Sequence, residues 1–158
     1  MMVNITIPRF LEMATLQTFD QALADSTAAS GKDWSDERLA VAAELASKLS
    51  DEELALLRVI WPGRPVTWKK HCAQVLGWVR RGEAIEILMD MVGRGPQAVA
   101  LDALESLSEF DPELFRRDQT VRIVAAIEAL LARPLAPLHQ ALLEKFVTKL
   151  RSAGAAAE

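Results

Sequence analysis

The 158-residue chain contains one cysteine, Cys72, and no tyrosine. A single cysteine excludes an intrachain disulfide framework and fits a reducing compartment. No apolar run approaches the roughly 20 residues that a membrane-spanning helix needs. The N-terminal stretch MMVNITIPRFLEMA also lacks the basic and then apolar segments of a signal peptide. The sequence therefore predicts a cytoplasmic protein that makes no use of a membrane.

Residue types with catalytic chemistry are scarce. The two histidines, His71 and His139, are each isolated from any carboxylate or cysteine at metal-ligand spacing. His71 and Cys72 are adjacent, so on a helix they point to different faces and cannot chelate one ion. Phosphate-loop, nucleophile-elbow and zinc-protease motifs are all missing. We therefore predict that the protein is not an enzyme and that it has no catalytic residue, no metal ion and no cofactor.

The composition favours helices. Hydrophobic residues make up 51% of the chain and charged residues 25%, which is typical of a folded globular protein. Alanine and leucine dominate, and β-branched residues form no alternating runs. We predict an all-α fold of about eight helices joined by short turns, without a strand.

Several local signals predict where these helices begin and end. Proline and glycine breaks fall at 62–65, 93–96 and 133–137. Ser50 followed by Glu53 forms a capping-box pattern. The other expected boundaries are a first helix opening at Pro8, a loop at 24–33, an N-cap at Ser35, and a helix from Pro112, capped by Asp111 and kinked near Asp118.

An internal repeat organises these helices. VAAELASKL (41–49) aligns with HCAQVLGWV (71–79), which aligns with VALDALESL (99–107), and a second helix is expected after each. A looser fourth pair joins VRIVAAIEALL to LHQALLEKFV. Helix pairs that recur at intervals of 30 and 28 residues, each too thin to bury its own apolar face, are typical of an α-solenoid.

Residues 73–92, AQVLGWVRRGEAIEILMDMV, resemble a HEAT-like repeat of the short type found in phycobilisome-lyase-related proteins. Leu76, Gly77 and Val79 match the end of that family's first helix, and Ala84, Ile85 and Leu88 match its second helix. The family usually has Asp and Gly in the intervening turn, where this chain has Arg80 and Arg81. A tetratricopeptide array is the alternative, but its tryptophan signature is missing.

The resemblance implies a right-handed α-solenoid of about four antiparallel helix pairs. The resemblance is clearest over residues 73–110 and weak before residue 35. From the order of the helices we predict a single domain over residues 1–152, in which residues 1–34 provide one helix and a flexible loop as an N-terminal cap. Residues 153–158 are expected to fray.

Helical periodicity separates two faces in residues 66–81. Trp68, Cys72, Val75, Leu76 and Val79 form one apolar stripe, which predicts that Trp68 and Cys72 lie in the core. Trp78 falls on the opposite side, so we expect it to be at least partly exposed. Exposed tryptophan beside arginine is typical of an interaction hot spot.

Charge is segregated along the chain although the net charge is −4. No acidic residue occurs between Glu53 and Glu83, while residues 33–53 are predominantly acidic. The segregation is compatible with two solvated faces of opposite sign, and also with a basic surface that receives an acidic protein surface or a phosphate backbone. The predicted partner-binding residues are Arg64, Lys69, Lys70, Trp78, Arg80, Arg81 and Trp61.

These patterns predict a non-enzymatic module that binds one partner protein, with an acidic surface, through a helical face. An adaptor, a chaperone-like escort and an immunity-type protein that neutralises a bacterial toxin all fit. The alternative is a HEAT-like protein that binds a nucleic-acid backbone through the basic, tryptophan-containing segment 58–81. An enzymatic role is suggested only by the lyase-related resemblance.

Overall fold

The structure is a computed structural model that describes residues 13–28, 34 and 36–157. This part of the chain is all-helical and contains no strand, as predicted. Its helices are α1 (Ala14–Ala28), α2 (Asp36–Ser47), α3 (Asp51–Ile60), α4 (Val66–Leu76), α5 (Gly82–Arg94), α6 (Gln97–Ser108), α7 (Arg117–Leu131) and α8 (Pro137–Ala157), with short 3₁₀ turns at Trp61–Gly63 and Pro112–Leu114. The expected helix start at Pro8 and the N-cap at Ser35 lie outside the described residues.

The capping box at the start of α3 forms as predicted. The Ser50 hydroxyl accepts the Glu53 N–H at 3.0 Å, and Glu53 Oε1 accepts the Ser50 N–H at 3.1 Å. The second oxygen of Glu53 accepts the N–H of Leu16 at 2.7 Å, in the first turn of α1. One buried carboxylate therefore satisfies amide groups at the starts of two helices, which fixes α1 against α3.

The helix predicted from Pro112 is interrupted. Asp111 accepts the Glu113 N–H at 3.0 Å, as a cap should, but only a 3₁₀ turn follows. Phe115 and Arg116 are extended, and α7 begins at Arg117. The break precedes the kink expected near Asp118, because the Gln119 side chain accepts the Arg116 N–H at 2.8 Å and starts a new helix there.

Two other segments contain more helix than the sequence suggested. α1 continues through Ala28, so it includes the first half of the predicted 24–33 loop, and residues 29–33 lie outside the described part. α8 continues through Ala157 and so includes most of the tail expected to fray. Both extensions are rich in alanine, the residue with the highest helix propensity.

Packing links alternate helices. α2 packs on α4, α4 on α6, and α6 on α8, while α3 packs on α5 and α5 on α7. α1 contacts α2, α3 and α4. The core between these helices contains the apolar stripe of α4, with Trp68 and Cys72 buried as predicted.

Side-chain bonds connect positions that are separated by about one repeat. Trp61 Nε1 donates to Asp90 at 3.0 Å, and Gln74 Nε2 donates to Asp102 at 3.2 Å. Arg116 Nη2 donates to Glu86 at 3.0 Å. These bonds span 29, 28 and 30 residues, which matches the interval of the sequence repeat. Residues about 30 positions apart are therefore in contact at three places along the chain.

Candidate functional site

The residues predicted to contact a partner do not form one continuous patch. Trp61 is only 1% exposed, so its side chain belongs to the core. Two cations lie near its ring, the ammonium of Lys69 at 5.7 Å and the guanidinium of Arg94 at 5.6 Å from the ring centroid. Lys69 therefore covers a core tryptophan rather than standing free.

Arg64 serves an internal contact. Its Nε and Nη2 atoms donate to the two carboxylate oxygens of Asp20, both at 2.9 Å. The indole N–H of Trp68 donates to Asp20 as well, at 3.0 Å. This bidentate pair fastens the start of α4 to α1, so Arg64 is not free to bind an external anion.

Arg81 and Arg80 also bind within the chain. Arg81 donates to the Leu49 carbonyl and to the Asp51 carboxylate, and so bridges the α2–α3 turn and the start of α5. Arg80 is exposed, and its Nη1 donates to the Glu109 carbonyl at 2.8 Å while the guanidinium lies 5.0 Å from the Phe110 ring centroid. The two arginines of the expected basic turn therefore contact residues about 30 positions away in sequence.

Trp78 is exposed, as its helical position suggested. The indole is 64% accessible and follows the end of α4 at Leu76. Gly77 directly before it is buried against Ser106 of α6, whose hydroxyl donates to the Ala73 carbonyl at 2.6 Å. This close approach of α4 and α6 holds the backbone at residue 77, so the next side chain projects outward.

Beside Trp78 lies a groove of about 490 Å³. It runs between the outer faces of α4 and α6 and is bounded by Leu39 of α2. The groove is lined by Leu39, Gln74, Gly77, Trp78, Arg80, Asp102, Glu105, Ser106 and Glu109. Of the predicted contact residues, Trp78 and Arg80 meet here and the others do not line it.

The groove is more acidic than the sequence suggested. Asp102, Glu105 and Glu109 carry three carboxylates, against the single guanidinium of Arg80. Burial raises the pKa of Asp102 above its usual range. The Gln74 hydrogen bond and the positive charge of Lys70 act in the opposite direction on that pKa. Lys70 itself makes no ion pair with any described residue.

Sequence reasoning missed these three carboxylates because they belong to a different helix, α6, and to its C-cap. One signal could have found Asp102: in the aligned segments it occupies the same position as Gln74, 28 residues earlier. Equivalent outer positions of successive repeats become neighbours when the repeats stack. The two side chains are indeed hydrogen-bonded at 3.2 Å.

A second polar cluster is buried between α1 and α4. His71 Nδ1 is 2.7 Å from the Ser26 hydroxyl oxygen, and the same hydroxyl donates its hydrogen to the Leu23 carbonyl at 2.6 Å. The Trp34 ring stacks on His71 with centroids 4.0 Å apart. Ser26 and His71 are both buried, so this pair joins α1 to α4 and offers no surface for a substrate.

Among the described residues, no group of three or more histidine, cysteine or acidic side chains could hold a metal ion. In the same part of the chain, no helix has both the length and the apolar character needed to cross a bilayer. Comparison with models of protein families, with curated proteins and with solved structures finds no match to this chain.

Proposed function

We propose that this chain is a non-enzymatic protein-binding module, and that one partner protein binds in the groove beside Trp78. The observation that carries the proposal is the 64% exposure of this tryptophan at the edge of a groove of about 490 Å³. Exposing a large indole to water is unfavourable, and tryptophan is the residue type most enriched among the energetic centres of interfaces. An adaptor, an escort or an immunity-type role all remain compatible with such a site.

We further propose that the helices form a HEAT-like, right-handed α-solenoid of antiparallel pairs. Two observations support it: the alternate-helix packing, and the side-chain bonds that span one repeat length. In such an array the outer faces of α2, α4 and α6 form one extended surface. The Trp78 groove lies on that surface.

The charges of the groove change the partner that we expect. The sequence indicated a partner with an acidic surface, but Asp102, Glu105 and Glu109 line the groove and Arg80 is bound to a carbonyl. We propose instead a partner segment with an apolar side chain to cover Trp78. A lysine or arginine beside it would face the carboxylates and could also lie over the indole.

Binding to a nucleic-acid backbone is less well supported. That alternative requires free cations along segment 58–81, whereas Arg64 pairs with Asp20 and Arg81 with Asp51. The carboxylates beside Trp78 would repel phosphates. Duplex DNA at low ionic strength tests this alternative directly, because phosphate binding weakens by about 0.9 log units per contact for each tenfold rise in salt.

A photo-crosslinking residue at position 105, on the rim of the groove, tests the protein-binding proposal. In extract of the source organism we expect one dominant protein adduct that is lost when Trp78→Ala is added. The matched control carries the crosslinker at position 59, an exposed site on α3 that does not line the groove. No adduct from the same protein is expected there.

The free energy of unfolding of the tryptophan variants must be measured in parallel with crosslinking. Trp78→Ala should cost about 1 kcal/mol because little of the ring is buried, whereas Trp61→Ala should cost about 3–5 kcal/mol. Adducts that form equally at positions 105 and 59, or that survive Trp78→Ala, contradict the proposal. So does steeply salt-dependent DNA binding that needs the basic segment.

A further inference from the structure

A second groove, of about 600 Å³, lies between α7, α8 and the 3₁₀ turn at Pro112–Leu114. Its walls are mainly apolar, with Phe115, Val121 and Val124 on one side and Leu150 and Ala153 on the other. Val121 is 63% exposed. The groove shares no lining residue with the Trp78 groove, so it is a separate feature of the molecule.

The way in which the helices pack indicates which secondary structure would fit in this groove. α5 packs against both α3 and α7. On the α5-facing side of α7, Gln119 donates to Glu86 of α5 at 2.7 Å and Ile123 is buried. At 100° per residue, Val121 lies opposite to that side. Val124 lies 100° around the helix from Ile123, between the two sides, and is partly buried against the core.

The open side of α7 is therefore where another helix would continue the α3, α5, α7 series. Within the described residues no helix occupies that place. A helix laid there would contact α7 and lie beside α8, and the apolar groove is the surface it would cover. Recognition of an amphipathic helix in a groove between two helices is a common mode of protein binding.

The charged residues at the rim of the groove indicate which charges the bound helix should carry beside its apolar face. Arg117 has no ion-pair partner among the described residues, and Arg151 reaches only the exposed Glu128, at 3.4 Å. Glu113 is the one carboxylate that lines the groove. A second copy of this chain would bring two grooves together that each carry two arginines and one carboxylate. The net positive charge of both surfaces disfavours a symmetric dimer there.

We propose that the α7–α8 groove binds an amphipathic helix of another protein, whose apolar face covers Val121 and Val124 and whose acidic side chains face Arg117 and Arg151. The site is independent of the Trp78 groove and does not rest on the function proposed for it. The two sites would let the chain hold two partner segments at once.

A synthetic peptide with the sequence GEAIEILMDMVGR, that of α5, provides a probe of this chemistry. Its isoleucines, leucine and methionine form an apolar face, and its three carboxylates lie away from that face. Added to the full chain, it should cause saturable amide shifts in NMR spectra at Val121, Val124 and Ala153. Val121→Asp should weaken binding at least about tenfold, a loss near 1.4 kcal/mol.

Val59→Asp is the matched control, since Val59 is 62% exposed on α3, outside the groove; it should leave the peptide affinity unchanged. Arg117→Glu should weaken the peptide and improve binding of a version with lysines in place of its carboxylates. Shifts that are absent from the groove, or equal losses in Val121→Asp and Val59→Asp, overturn the proposal. Self-association of the free chain that Val121→Asp abolishes also overturns it, because the occupant is then a second copy.

Discussion

Replacing Gly77 with alanine tests how closely the end of α4 packs against α6. A Cβ built at Gly77 would lie 2.9 Å from Ser106 Oγ, 3.0 Å from Ser106 Cβ and 3.3 Å from Ser106 Cα. The hydroxyl is held by its 2.6 Å bond to the Ala73 carbonyl, and the Cα belongs to the backbone of α6. The new methyl group can therefore be accommodated only if α4 and α6 move apart.

The expected magnitude is the balance of two effects. Overpacking a tight contact costs about 1–3 kcal/mol. Replacing glycine with alanine also restricts the unfolded chain, which returns about 0.4–1 kcal/mol. We therefore expect Gly77→Ala to lower the free energy of unfolding by about 1–2 kcal/mol. In a chain of this size that lowers the melting temperature by roughly 3–8 °C.

Gly93→Ala is the matched control. Gly93 lies within α5, and an added Cβ would meet nothing within 4 Å. This change should stabilise the chain by about 0.5–1 kcal/mol. Urea denaturation of both variants against the parent chain measures the difference, and Ser106→Gly in the Gly77→Ala background should recover part of the loss. If Gly77→Ala raises the free energy of unfolding as much as Gly93→Ala does, the argument that α4 and α6 are too close for an added methyl group is refuted.

Two further predictions concern His71 and Cys72, which are both buried side chains of α4. Burial and the nearby charge of Lys70 lower the pKa of His71 below 6.5. The folded chain therefore binds a proton less readily than the unfolded chain, so stability should fall as the pH drops through 6.5 and stop falling below the lowered pKa. Denaturation of the parent chain and His71→Gln across pH 5–8 checks this; an unchanged pH dependence in the variant contradicts it. Burial also raises the pKa of the Cys72 thiol far above its usual range, so a thiol reagent should react at a rate limited by opening of the fold, about 10²-fold or more slower than in denaturant. Rapid labelling of the native chain is the refuting result.

The sequence was most informative where a pattern repeats over a whole helix. The stripe from Trp68 to Val79 was assigned to the core, and those residues are buried. The cap at Ser50 was likewise readable, since it depends on residues only three positions apart. Trp78 was expected to be exposed because it lies opposite the stripe, and it is.

The basic segment was harder to interpret because its cations find partners far along the chain. Arg64 pairs with Asp20, 44 residues away, and Arg81 with Asp51, 30 residues away. Composition alone could not distinguish free cations from paired ones, since the pairing depends on how distant helices pack. The break at Phe115 has a local cause, because the Gln119 side chain accepts the Arg116 N–H three residues earlier. It was not predicted because arginine is not among the residue types that usually begin a helix as its cap.

The sequence by itself determined the helices, the interval of about 30 residues and the apolar faces, because these depend on local propensity and on periodicity within one helix. Tertiary structure alone decided which polar residues meet. Stacking brought Asp102 and Glu105 of one segment beside Trp78 of the one before, and gave the groove an acidic character that the basic segment of the sequence did not indicate. Charges that are far apart in sequence, such as Arg116 and Glu86, lie next to each other in space, so the chemistry of the surface depends on how the helices pack together.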